Sequence, residues 1–241
     1  MRMLPHGWRR VNLRRRAKKD CHNPETSVVA KNTCSRMECV NCCDDGAAMG
    51  KTNATQPTVI KSEIIYEGKA FGVRRDELIE PSGVRTVREV VTHPGSVVVL
   101  PVLPDGKIVL VQQYRHATGQ YLWELVAGRL EPGEDPKTGA ARELIEETGY
   151  RGRKFSVFLD VFPTPGFLEE RMYLLLAEGL TAGEAQPEED EKLNVGTYTR
   201  RQLEKMMRRG VLRDAKSIAG LLFYFRFLEG PKRRRSIESI L

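Results

Sequence analysis

The sequence predicts an α+β or layered αβα domain. Three observations point there: strand-like runs joined by several hairpin-type connections, three segments with helical periodicity, and the intermingling of the two kinds along one stretch. The chain has 241 residues, 40% of them hydrophobic. That suffices for one substantial core, or one core with a small appendage.

Order is expected to begin near Pro57. "TVIKSEIIYEG" and "AFGVRRDELIEPSG" read as strands joined at a Glu-Gly turn, and "VRTVREVVTH" follows Pro-Ser-Gly. Their β-branched content and turn spacing predict a small antiparallel sheet over residues 58–97. "SVVVLPVLPDGKIVLVQQYR" reads as the clearest hairpin, two apolar runs about a Pro-Asp-Gly turn. "QYLWELVAG" is expected as one further strand, ending at Gly128.

The stretch "GRLEPGEDPKTGAARELIEETGY" then predicts a helix over about Pro136 to Thr148. Asp135 is a good N-cap, Pro136 suits the first helical position, and Gly149 suits a left-handed stop. At roughly 100° per residue, Ala141, Leu144, Ile145 and Thr148 share the expected core face, with Glu143, Glu146 and Glu147 nearly opposite. "KFSVFLDVFPTPG" and "RMYLLLAEGL" read as strands. "TRRQLEKMMRRG" and "DAKSIAGLLFYFRFLE" read as helices, the second capped by Asp214. The expected division is 1–57 tail, 58–97 N-terminal sheet, 98–230 main domain and 231–241 basic tail.

Charge and cysteine are concentrated in the first segment. Residues 1–57 hold 11 Lys/Arg against 5 Asp/Glu, while residues 58–241 hold 28 against 27. The net charge of +7 is therefore mostly a property of the tail. All five cysteines, Cys21, Cys34, Cys39, Cys42 and Cys43, lie there too, so the core is expected to use neither disulfide nor thiolate chemistry. The tail shows no hydrophobic periodicity and reads as disordered. Cys39 and Cys42 form a C-x2-C without a matching second pair, which argues against a structural zinc site. The basic residues suit electrostatic contact with nucleic acid, but no motif supports a specific reader. No apolar run approaches a membrane span, and the basic start lacks the apolar stretch of a secretory signal. The expectation is a soluble, intracellular, cytoplasmic protein.

Three glutamates at i, i+3 and i+4 on a helix are by themselves commonly a solvated face, since like charges at that spacing cost only ~0.2–0.5 kcal/mol. Their frame is more specific. Gly128, Glu134, Arg142, Glu143, Glu146, Glu147 and Gly149 spell G-x5-E-x7-R-E-x-x-E-E-x-G, with Leu144 in the apolar slot after Arg-Glu. This is the Nudix box, and the chain resembles the Nudix hydrolases over about residues 58–230. The resemblance implies a Nudix fold, an αβα sandwich with a mixed sheet, here preceded by the small antiparallel N-terminal sheet. It implies hydrolysis of a nucleoside diphosphate linked to another moiety.

Clustered carboxylates suit hard divalent cations, which enter with few protein oxygens plus substrate phosphates. The resemblance implies Mg2+, with Mn2+ as a substitute. Glu143 and Glu147 are then direct ligands, Glu146 binds directly or through water, and the carbonyl of Ala127 is a further ligand. Arg142 is expected to orient the glutamates rather than touch substrate. Glu134 supports the loop–helix junction or joins the metal shell. Gly128 either permits close approach or serves a purely conformational need.

Substrate identity rests on other stretches. "FPTPGFLEE" places Pro165 sixteen residues after Gly149, and it resembles the ADP-ribose pyrophosphatase subgroup, although Leu168 and Glu169 depart from the expected pattern. "VQQYRHATGQYLWELVAG" resembles that subgroup's approach to the box, with Val126 where proline is expected. Arg115 is the candidate for the diphosphate, because a guanidinium engages phosphate oxygens bidentately. Glu124 interrupts an apolar face, and either hydrogen-bonds a ribose hydroxyl or faces solvent. The general base is expected in the acidic segment "PEEDEKLNV", with Glu189 favoured and Glu191 second.

The expected activity is Mg2+-dependent hydrolysis of ADP-ribose to AMP and ribose 5-phosphate. The resemblance also implies a homodimer that exchanges its N-terminal sheet. Another nucleotide sugar, a dinucleotide or an oxidised nucleotide is the enzymatic alternative. A nucleic-acid- or zinc-binding protein acting through the tail is the alternative of another class.

Overall fold

The computed structural model describes residues 55–186 and 192–229. The expectations for most of the N-terminal tail, for Glu189 and Glu191, and for the C-terminal tail lie outside the described residues.

Strands β1 (Thr58–Glu67), β2 (Gly72–Ile79) and β3 (Arg85–Thr92) form an antiparallel sheet in that order, as the sequence predicts. The β2–β3 turn closes with Gly83 N–H donating to Glu80 O at 2.8 Å. Gly83 has φ 84°, a region that favours glycine.

The predicted hairpin at 96–115 is corrected. Its turn forms, with Leu103 N–H donating to Lys107 O at 2.9 Å and Gly106 N–H to Leu103 O at 2.9 Å. Its arms, β4 (Ser96–Pro101) and β5 (Ile108–Arg115), then part into different sheets and keep only a Val102–Ile108 bridge. All six residues of β4 are buried. A strand covered on both faces belongs inside a sheet. β4 accordingly takes β7 on one edge and β9 on the other.

The single strand expected at "QYLWELVAG" is likewise two. β6 (Gln120–Glu124) pairs with β5, and β7 (Val126–Arg129) pairs with β4. Leu125 is the switch point. Its N–H donates to the Ser217 hydroxyl at 2.7 Å instead of to a strand. β8 (Lys154–Val161) and β9 (Met172–Glu178) complete a sheet ordered β7-β4-β9-β8, in which β4 and β9 run parallel and the other pairs antiparallel. β10 (Asn194–Tyr198) joins β5 and β6 in a third sheet.

Alternate residues of β4 separate two cores. Val97 and Val99 pack with Ala140 and Leu144 of α1 (Pro136–Thr148). Val98 and Leu100 pack with Leu203 of α2 (Arg200–Arg208) and Leu221 of α3 (Ala215–Phe223). The result is helix, mixed sheet, helix, the layered α+β arrangement that the sequence predicts. α3 continues into a wider π turn over Tyr224–Leu228. Among the described residues, no helix is long and apolar enough to cross a membrane.

Candidate active site

α1 begins and ends as its sequence dictates. Asp135 accepts from Lys137 N–H at 2.9 Å, Pro136 opens the helix, and Gly149 stops it at φ 74°. Gly149 also has no room for a side chain, since a β-carbon would fall 2.5 Å from Gly183 O. The expected core face is corrected. Ala140, Glu143, Leu144, Glu147 and Thr148 are buried, whereas Ala141 and Ile145 are only partly so. Two glutamates therefore face inward, with Glu143 at 9% exposure and Glu147 at 4%. The helix packs against β7, where Gly128 leaves space for the Glu143 carboxylate. Simple periodicity assigns charge to the solvent side, and a glycine on the facing strand reverses that.

Arg142 organises the carboxylates. Its Nε donates to Glu134 Oε1 at 3.1 Å and Nη2 to Glu134 Oε2 at 3.0 Å. Nη1 donates to Glu143 Oε1 at 2.7 Å and to Glu146 Oε2 at 3.0 Å, and Nη2 also reaches Arg129 O at 3.2 Å. A guanidinium has five N–H bonds, and five acceptors meet them. Hydrogen bonding to Glu134, helped by charge from Glu143, raises the pKa of Arg142, while burial works the other way. The Arg142 hydrogen bond, against burial, holds the Glu134 carboxyl below its ordinary value. Glu134 Oε2 also accepts from Glu131 N–H at 3.0 Å, fixing the loop before α1.

Arg142, Glu143 and Glu146 line one cleft of about 310 Å³. Its wall includes Arg115, Ala127, Gly128, Arg142, Glu143, Glu146 and Glu147, which were expected from the sequence. Gln113, Arg129 and Glu131 line it as well and were not expected. Gln113 lies two residues before Arg115 on β5, so strand alternation was the signal that places both on one face.

Two expected residues lie elsewhere. Glu124 does not face solvent; it is 1% exposed. Its carboxylate accepts from Arg115 Nε at 2.8 Å and Nη2 at 2.7 Å, and from Lys216 Nζ. Burial pushes its pKa up, but Arg115 and Lys216 together outweigh burial and hold the carboxyl below its ordinary value. Lys216 carries no periodic signal of this role in the sequence. Pro165 is exposed on the loop between β8 and β9, away from the lining of this cleft. That loop is tied to the N-terminal sheet: Val91 N–H donates to Phe167 O at 2.7 Å, and Arg74 pairs with Glu169 at 3.0 Å.

Glu189 and Glu191 are outside the described residues, but the flanking chain is anchored on both sides. Gln186 N–H donates to Glu146 O at 3.2 Å, and Asn194 stands opposite Gln112 on β5.

The donor set fits a hard cation in its chemistry. It offers the carboxylates of Glu143, Glu146 and Glu147, and Gly128 leaves room for Glu143 among them. Among the described residues, no three His, Cys, Asp or Glu side chains converge on one point. Glu143 and Glu146 turn to Arg142 instead. Mg2+ needs only one or two carboxylates when substrate phosphates complete its shell.

Comparison with known proteins gives this cleft its context. The ADP-ribose pyrophosphatase of Mycobacterium tuberculosis (strain ATCC 25618 / H37Rv) is 36% identical over 184 residues, 75% of this chain and 88% of the relative. The ADP-ribose pyrophosphatase of Bacillus subtilis (strain 168) is 38% identical over 160 residues, 66% and 86% of the two chains. A crystal structure of an ADP compounds hydrolase superposes with a TM-score of 0.67 at 23% identity, covering 74% of this chain and 97% of the other, which supports the fold. The family profile described as NUDIX domain matches residues 92–220, a span that holds the whole carboxylate helix and its cleft. With five of the seven box residues lining that cleft, the chain belongs to the Nudix family of hydrolases.

Proposed function

We propose that this Nudix diphosphatase hydrolyses ADP-ribose to AMP and ribose 5-phosphate. One observation carries the proposal: a single cleft holds the Arg115 guanidinium on one wall and Glu143, Glu146 and Glu147 on another. A diphosphate needs both, a cation to bind it and a carboxylate seat for the divalent ion that accompanies it. The similarity to two ADP-ribose pyrophosphatases over most of their length supports ADP-ribose in particular.

Glu143 and Glu147 would hold Mg2+, or Mn2+ in its place, with Glu146 and the Ala127 carbonyl completing the protein's share. Such an ion supplies charge neutralisation and polarises the phosphoryl oxygens. Arg142 holds the Glu134, Glu143 and Glu146 carboxylates together and aims them. Arg115 binds the diphosphate, with Glu124 setting its direction. Gly128 gives the Glu143 carboxylate its room beside the bound substrate. Glu189, or Glu191 after it, takes the proton from the attacking water. The new P–O bond forms as the bond to the bridging oxygen breaks, and that oxygen leaves on the second phosphate. The anchors at Glu146 and Gln112 support this role for Glu189, since they tie the ends of its segment to α1 and β5. Pro165 would act across a homodimer. The exposed Val59, Ile64 and Val87 of the N-terminal sheet support such an assembly.

A substrate panel with Mg2+ tests the proposal: ADP-ribose, a nucleotide sugar, a dinucleotide and an oxidised nucleotide, beside Glu147→Gln. ADP-ribose should be turned over fastest by the wild type, and the variant should lose that activity. A wild type that leaves ADP-ribose intact overturns the substrate assignment.

A further inference from the structure

We infer that Lys216 is a positioning residue for the diphosphate, acting on Arg115 through the buried Glu124. The inference rests on the proposal that Arg115 binds the diphosphate.

The four groups form one line from α3 to the cleft. Asp214 Oδ1 accepts from Lys216 Nζ at 3.0 Å. Lys216 Nζ donates on to Glu124 Oε2, which Arg115 Nη2 also reaches at 2.7 Å. Arg115 lines the cleft, while Glu124 is 1% exposed behind it. Glu124 takes the Nε and Nη2 positions of the guanidinium. Nη1 makes no hydrogen bond to a described residue, which leaves it for an incoming phosphate oxygen.

Charge explains why a second cation is useful. Arg115 and Glu124 alone form a neutral pair, which attracts a diphosphate weakly. Lys216 shares the Glu124 carboxylate, so less of the Arg115 charge is cancelled. Asp214 does not undo this. Its other oxygen accepts from Ser217 N–H at 3.0 Å and from the Ser217 hydroxyl, so its charge is largely met by the N-terminus of α3. Capping of α3 runs through Asp214 and Ser217 and needs no lysine. Support of Leu125 N–H runs through Ser217 as well. What Lys216 adds is its bond to Glu124.

The test is binding of inorganic pyrophosphate with Mg2+, measured by calorimetry, in a double-mutant cycle of Lys216→Met and Arg115→Ala. Thermal melts accompany it, and Lys216→Gln is a second way to remove the charge. With Arg115 in place, either Lys216 variant should weaken binding about tenfold; combined with Arg115→Ala, the same change should have less than about twofold effect. With the substrate, KM should rise by a similar factor while kcat stays within about twofold. Equal effects in both backgrounds, or none, overturn the positioning role. If Arg115→Ala itself leaves pyrophosphate binding unchanged, the assignment of Arg115 fails first, and the role of Lys216 fails with it.

Discussion

Gly128 and Glu143 are so close that a β-carbon on Gly128 would lie 1.9 Å from the Glu143 carboxyl carbon. Gly128 is not among the described glycines with positive φ, so space rather than backbone conformation requires glycine there. Gly128→Ala should push the Glu143 carboxylate off its bond to Arg142 and lower kcat/KM by about 10²-fold. The chain should stay folded, because the group that yields is the end of a side chain. Steady-state rates beside a circular-dichroism melt check this, and full activity in the variant would contradict it.

Arg142 serves Glu134, Glu143, Glu146 and the Arg129 carbonyl at once. Lysine offers one nitrogen and three N–H bonds and cannot span that set. Arg142→Lys should reduce kcat/KM by about 10- to 100-fold and raise the Mg2+ concentration for half-maximal rate. An unchanged Mg2+ midpoint would separate Arg142 from the carboxylates proposed to bind the metal.

Ser217 is fully buried and its hydroxyl is the acceptor for Leu125 N–H, at the point where the chain passes from β6 to β7. Ser217→Ala leaves that N–H without its acceptor in the core. The expected cost is about 1–3 kcal/mol of unfolding free energy, read from denaturant melts. A neutral result would mean that the switch between sheets needs no support from α3.

Glu124 has a depressed pKa in the folded chain, below its ordinary 4.5. Its contribution is therefore present above pH 4.5 and lost as pH falls through the lower, folded value. Glu124→Gln should be less stable than the wild type at pH 7 by about 3 kcal/mol, because Arg115 and Lys216 lose a buried anion. The gap should narrow as the pH is taken below 4.5. Calorimetric melts from pH 7 to pH 3 decide it, and a gap that widens on acidification would reverse the sign argued here.

Local chemistry made much of this protein legible in its sequence. The strands of the N-terminal sheet, the limits of α1, the cap of α3 and the order of elements depend on periodicity, capping and turn residues, all short-range. The Nudix box could be read the same way, because seven of its positions fall within 22 residues, from the end of one strand through a loop and helix. Arg115 is a candidate through resemblance and the phosphate-binding chemistry of its guanidinium. Which strand meets which was not local. "SVVVLPVLPDGKIVLVQQYR" resembles a hairpin, yet full burial sends its arms into two sheets. "QYLWELVAG" resembles one strand, yet a serine 92 residues away in the chain takes the N–H that divides it.

The sequence by itself determined the family, the helix that carries the glutamates and the kind of chemistry they can do. The tertiary structure decided which glutamates face inward and which cations meet them. A helix pattern assigns Glu143 and Glu147 to water, because it records only one element's own periodicity. Gly128 on β7 makes room for Glu143, and Lys216 on α3 meets Glu124 behind Arg115, so burial and charge pairing are settled only when those elements pack together.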